Sequence, residues 1–167
     1  MAADLRALMA GLKAAEQADR LEAAEALMRL AEEAAPAAAA LAVAAGEEDD
    51  EVREAAVGAL EGLGAPPMAL LGELTKILHD PQADRAYWAA TLLGRLGAAA
   101  APAVPDLIQV LGPAAPLAVR QRAAWALGQL GPAVAAASQA LRLAAQDPDA
   151  RLAELAGDAL AVIAAKK

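Results

Sequence analysis

The chain is poor in groups that do chemistry. His79 is its only histidine, Ser138 its only serine, and it has no cysteine. Hydrolysis and metal binding need convergent histidine, cysteine or carboxylate groups. One histidine and no thiolate leave no His-rich or Cys-rich metal centre and no Ser/His/Asp set. His79 stands beside Asp80 near an expected helix end, where an imidazolium favours the negative end of the helix dipole. The acidic run Glu47-Glu48-Asp49-Asp50-Glu51 lacks the alternating spacing and the glycine of a calcium loop. It either complements the positive end of the following helix or docks a basic partner. Catalytic, metal and cofactor residues are accordingly none. Tyr87, Trp88 and Trp125 hold most of the informative side-chain chemistry. They either fill gaps left by alanine or form an aromatic interface spot, since tryptophan is over-represented among interface anchors.

Positioning such residues falls to helices. Of the 167 residues, 59% are hydrophobic but only 2% aromatic, and nearly a third are alanine. Alanine has the highest helix propensity, and the β-branched and aromatic residues that strands prefer are scarce. Alanine also buries little area, so such a core must bring helices close together. No stretch approaches the ~18–20 apolar residues of a membrane span, and the N-terminus has no signal-peptide pattern. The expectation is a soluble, cytoplasmic protein. Charge is unevenly placed: residues 1–61 carry a net −9 and residues 62–167 a net +1. Without a basic stripe, nucleic acid is a poor partner.

A period of 33 to 34 residues runs through the chain. Leu60/Leu63/Gly64, Leu93/Leu96/Gly97 and Leu127/Leu130/Gly131 repeat the ending Leu-x-x-Leu-Gly, and Ala56, Ala89 and Ala123 precede each glycine by eight. Arg20, Ala23, Leu27 and Leu30 extend the register backwards, and Glu154, Ala156, Leu160 and Ile163 extend it forwards. A period of this length means stacked structural units. Each unit reads as two helices. The first stops at Gly64, Gly97 or Gly131, in the left-handed conformation that glycine adopts without penalty. The second is opened by Pro36, Pro66-Pro67, Pro102 or Pro132. Leu5, Leu8, Met9 and Leu12 mark an N-terminal capping helix, and Lys166-Lys167 suit the C-terminal end of a closing one.

The phrase Asp-x-x-Val-Arg-x-x-Ala-x-x-Ala-Leu-x-x-Leu-Gly, present as Asp49 to Gly64, resembles the short bacterial HEAT-like repeat of the phycobilisome-lyase type. The resemblance covers roughly residues 19–165. It implies an all-α, right-handed α-α superhelix of about four helical hairpins in one domain, 1–167. The expected divisions are an N-terminal cap over 1–18, four repeats over 19–148 and a C-terminal cap over 149–167. It also implies that Arg20, Arg53 and Arg120, with the acids Glu47, Asp80 and Asp147, form a structural ladder between repeats. Ala86 interrupts the arginine position, where Arg85 could substitute, and Arg151 could do so at Ala153.

The function expected from this is a non-catalytic scaffold or adaptor that presents a curved surface to a protein or peptide partner, and the acidic N-terminal half would suit a basic one. The alternative is a HEAT-like chromophore lyase or chaperone subunit, which would want polar and basic residues converging on the concave face. The resemblance places the second helices on that face. Their outward residues Glu73, Lys76, Asp106, Gln109, Gln139 and Arg142 are the first candidates for partner contact. Trp88 and Trp125 are the second; their register places them one turn apart, off the leucine–alanine stripe.

Overall fold

Helical spacing of leucine and alanine yields helices throughout. A computed structural model describes residues 2–165, with side chains at all of these except 2, 3, 132 and 133. The lysines at 166 and 167 and the side chain of Pro132 therefore lie outside the described residues. Among those described there is no strand. The α-helices are α1 (Ala2–Gly11), α2 (Gln17–Leu30), α3 (Ala38–Ala44), α4 (Asp50–Gly62) and α5 (Leu71–Ile77). They continue as α6 (Ala83–Arg95), α7 (Val104–Leu111), α8 (Leu117–Gln129), α9 (Ser138–Ala144) and α10 (Ala150–Ala164).

Side-chain caps explain where several first helices begin. Asp49 accepts from the Val52 amide at 3.1 Å and Asp149 from the Leu152 amide at 2.8 Å. At α6 the equivalent residue is Gln82, which accepts from the amides of Asp84 and Arg85 at 2.6 and 3.0 Å. Each such cap satisfies a helical N–H that would otherwise be orphaned.

The ends of the first helices depart from expectation in an informative way. Gly97 and Gly131 take positive φ, +57° and +72°, and lead into seven-residue 3₁₀ turns, Gly97–Ala103 and Gly131–Ala137. Ala31, at φ 47°, makes the corresponding turn Ala31–Ala37 without a glycine. Pro36 and Pro102 lie inside these turns rather than at the start of an α-helix. Gly64 does not take positive φ; Leu63 leaves α4 in an extended conformation at φ −74°, ψ 139°. The cause is Pro66-Pro67. A residue before proline is pushed out of the α region, so neither Ala65 nor Pro66 can continue a tight helical turn. Only a three-residue 3₁₀ segment, Met68–Leu70, remains before α5.

The first helices form one layer and the second helices another. Within the first layer, α2 packs on α4, α6 on α8 and α8 on α10; in the second, α3 packs on α5 and α7 on α9. Between the layers lie fully buried leucines, among them Leu27, Leu41, Leu60, Leu93, Leu107, Leu127 and Leu141, with alanines filling the close approaches. Burying each leucine contributes roughly 1.5–3 kcal/mol of transfer free energy. The layering is interrupted in mid-stack, at α4–α6 in the first layer and at α5–α7 in the second. α4 and α6 are not a packed pair; α6 lies against α3 and α5 instead.

Candidate functional site: the second-helix layer and the arginine and aromatic ladders

Arginines tie each repeat to its neighbour by donating to backbone carbonyls. Arg20 donates to the carbonyls of Ala14 and Ala15 at 3.0 and 2.9 Å and faces Glu47 at 3.7 Å. Arg120 donates to the Leu111 carbonyl at 3.2 Å and to the Asp147 carboxylate at 2.6 Å. Arg53 donates to the Glu47 carbonyl at 3.2 Å but pairs with Asp50 of its own helix. Asp80 is taken by Arg85, which lies 3.6 Å from it and donates to the Val43 carbonyl at 3.1 Å. Arg151 joins no such rung; it pairs with Glu154 at 2.8 Å on the exposed side of α10. The Asp149 amide, and then the Arg120 guanidinium, hold the Asp147 carboxyl below its usual range.

The six outward residues of the second helices separate into two groups. Glu73, Lys76, Gln109, Gln139 and Arg142 are exposed. Asp106 is not free: its carboxylate lies 2.8 Å from His79 Nε2, so His79 and Asp106 join α5's end to α7. His79 stands just past the C-terminal end of α5 and makes this pairing from there. Grooves open along the same edge of the array. One of about 420 Å³ is lined by Leu78, Val110, Pro116 and Gln109. Another, of about 310 Å³ between α7 and α9, is lined by Ile108, Leu111, Pro113, Ala140 and Leu143. A third, of about 430 Å³, lies where α1 and α3 meet, lined by Leu12, Lys13, Ala40 and Val43. Of the six, only Gln109 lines one of these three. Leu143, 68% exposed, escapes a reading based on spacing alone, although its place two residues after Leu141 already turns it off the core stripe.

The tryptophans occupy different environments. Trp88 is 8% exposed and belongs to the core, not to a face beside it. Its ring meets Tyr87 edge-on with centroids 5.7 Å apart. Trp125 lies over Gly94, where an added Cβ would come within 2.4 Å of the indole. No ring contact joins the two indoles among the described residues. What links their neighbourhoods is Arg122, whose guanidinium sits 4.4 Å from the Tyr87 ring centre and 5.1 Å from that of Trp125 and donates to the Tyr87 hydroxyl. Arg122 was missed because it lies one repeat away from Tyr87, and only stacking brings the two together. Among the described residues no group of three or more His, Asp or Glu side chains could hold a metal ion. None of their helices is long and apolar enough to cross a membrane.

A hairpin stack with a repeating arginine position calls for comparison with known repeats. The profile of the HEAT repeats matches residues 71–161. The chain belongs to the HEAT-repeat family. The matched HEAT segment runs from α5 into α10, and the hairpins before it carry the same period. Two crystal structures of engineered proteins, each 22% identical, superimpose with TM-scores of 0.66 and 0.68. They cover 96% of this chain and 79% and 81% of their own. A designed armadillo repeat protein in complex with the peptide (KR)4 is 19% identical, with a TM-score of 0.67 over 95% of this chain and 81% of that one. At such identities these likenesses establish the fold. No curated protein matches.

Proposed function

We propose that this HEAT-repeat chain is a binding scaffold rather than an enzyme, and that its second-helix layer receives an extended segment of a protein partner. The observation that carries this reading is the groove between α7 and α9, whose apolar lining ends in the exposed Leu143. A comparable groove lies at α5 and α7. Spaced apolar recesses beside exposed Lys76, Gln109, Gln139 and Arg142 suit a peptide that places side chains in the grooves and meets polar groups on the ridges. Backbone groups on this face are satisfied within helices, so side chains must supply the affinity. The designed armadillo neighbour carries a bound peptide on a similar array, which supports the peptide class of partner.

The test is to select binders from a random peptide library and measure their dissociation. Leu143→Glu places a charge in the apolar groove and is expected to speed dissociation by about tenfold or more. A triple Lys76→Ala, Gln109→Ala, Arg142→Ala variant is expected to weaken binding less. Unchanged dissociation in both variants, with loss of binding in Trp125→Ala, would move the site to the first-helix layer.

A further inference from the structure

The opening in the first-helix layer between α4 and α6 has a defined chemistry. It is a cleft of about 330 Å³, lined by Ala45, Val57, Gly58 and Trp88, with one guanidinium, Arg53, and three carboxylates, Glu54, Glu61 and Asp84, around them. That volume is at the lower end of the ~300–1,000 Å³ typical of ligand pockets, room for a long side chain rather than a folded element. In the other first-layer junctions one first helix packs on the next; among the described residues α4 and α6 do not. Arg53 in the lining and Arg95 nearby are both engaged, and the carboxylates already act on them, Glu54 and Asp84 on Arg53 and Glu61 on Arg95. One guanidinium thus faces three carboxylates in the cleft. Arg53 donates to the Glu47 carbonyl and to Asp50. Arg95 donates to the carbonyls of Leu60 and Leu63 at 2.7 and 2.8 Å. Asp84 accepts a 3.2 Å hydrogen bond from the Gln82 side chain, while Glu54 and Glu61 form no hydrogen bond among the described residues.

We propose that this cleft docks an arginine or lysine side chain from a basic segment of a protein partner. An arginine or lysine carries an apolar stem and a cationic head, and it buries the stem on apolar surface while keeping the head among polar groups. Here Val57, Ala45 and the small part of Trp88 that lines the cleft receive the stem, and the three carboxylates, which outnumber Arg53, receive the head. The net −9 of residues 1–61 draws a cationic segment toward this half of the chain and raises the encounter rate. The site lies in the first-helix layer, goes beyond the second-layer reading above and stands independently of it.

Hexa-arginine is the probe and hexa-glutamate its control. In a Trp125→Phe background Trp88 is the sole tryptophan, and its emission reports on the cleft directly. Hexa-arginine is expected to shift that emission saturably, and hexa-glutamate is expected to leave it unchanged. Glu54→Gln, Glu61→Gln and Asp84→Asn together are expected to weaken binding about tenfold. A matched set, Glu22→Gln, Glu32→Gln and Glu33→Gln, removes the same charge elsewhere in the acidic half and is expected to change affinity less than about twofold. Equal weakening by the two sets would show diffuse attraction and overturn the site. So would absence of hexa-arginine binding, or binding lost only in the Lys76/Gln109/Arg142 variant, which would favour the second layer instead. Titration calorimetry on chains that keep Trp125 repeats the comparison without relying on that replacement.

Discussion

Ala31 holds φ 47° and ψ −124°, a combination open to glycine and strained for a residue with a Cβ. The register calls for glycine here, since Gly97 and Gly131 make the equivalent turns. Ala31→Gly is expected to stabilise the chain by about 1 kcal/mol, read as a higher urea midpoint at unchanged slope. An unchanged or lower midpoint would show that the turn holds no strain. The last rung of the ladder carries a second, independent residue-level expectation. Asp147 accepts the Asp149 amide and then the Arg120 guanidinium, and Asp149 accepts the Leu152 amide and then Gln121; both carboxyls are depressed below their usual range. A group with a depressed folded-state pKa adds stability above the unfolded value of about 4, and that stability is lost as pH falls through the lower folded value. The stability gap between the parent chain and Asp147→Asn is therefore expected to be full at pH 6 and to shrink on acidification below about pH 4. A gap independent of pH would show that Asp147 acts through shape alone.

Helix by helix, packing neighbours set the cost of a truncation. Leu93 is fully buried in α6, which packs on α3, α5 and α8; Leu5 is half-buried in α1, at the open end of the stack. Leu93→Ala is expected to cost about 2–5 kcal/mol and Leu5→Ala clearly less, measured as urea midpoint shifts. Equal shifts would contradict the stacking order. The same contrast explains what was legible beforehand. Helix class, period and the buried face follow from leucine and alanine spacing, because that spacing alone determines which side of a helix meets its neighbour. The turn at Gly64 was misread because a local rule was overridden by its neighbours: Pro66-Pro67 exclude the tight turn that the glycine signals. Ala31 gave no glycine signal to read. For Trp88 the spacing left two readings open, a filler of gaps left by alanine or an interface anchor, and its burial in the core fits the first. Arg122 on Tyr87 and His79 on Asp106 join residues 35 and 27 positions apart, and no local pattern announces them.

Taken whole, the array is a row of stacked units whose stability sums unit and junction terms, with one contact that skips a unit, where α3 packs on α6. Three first-layer junctions are sealed by helix on helix, and one is held by α3 packing on both α5 and α6, with Arg95 reaching across to the end of α4. The mechanical meaning follows from how compliances combine. Elements joined in series add their flexibilities, so under load a row bends at its softest joint while the others stay straight. The α4–α6 joint, not sealed in the first layer, is expected to be that element, with Pro66-Pro67 beside it. The chain is then expected to act as two short levers about one elbow: a small rotation there would become a large excursion at either tip, and a side chain docked in the opening would act as a wedge on the elbow angle.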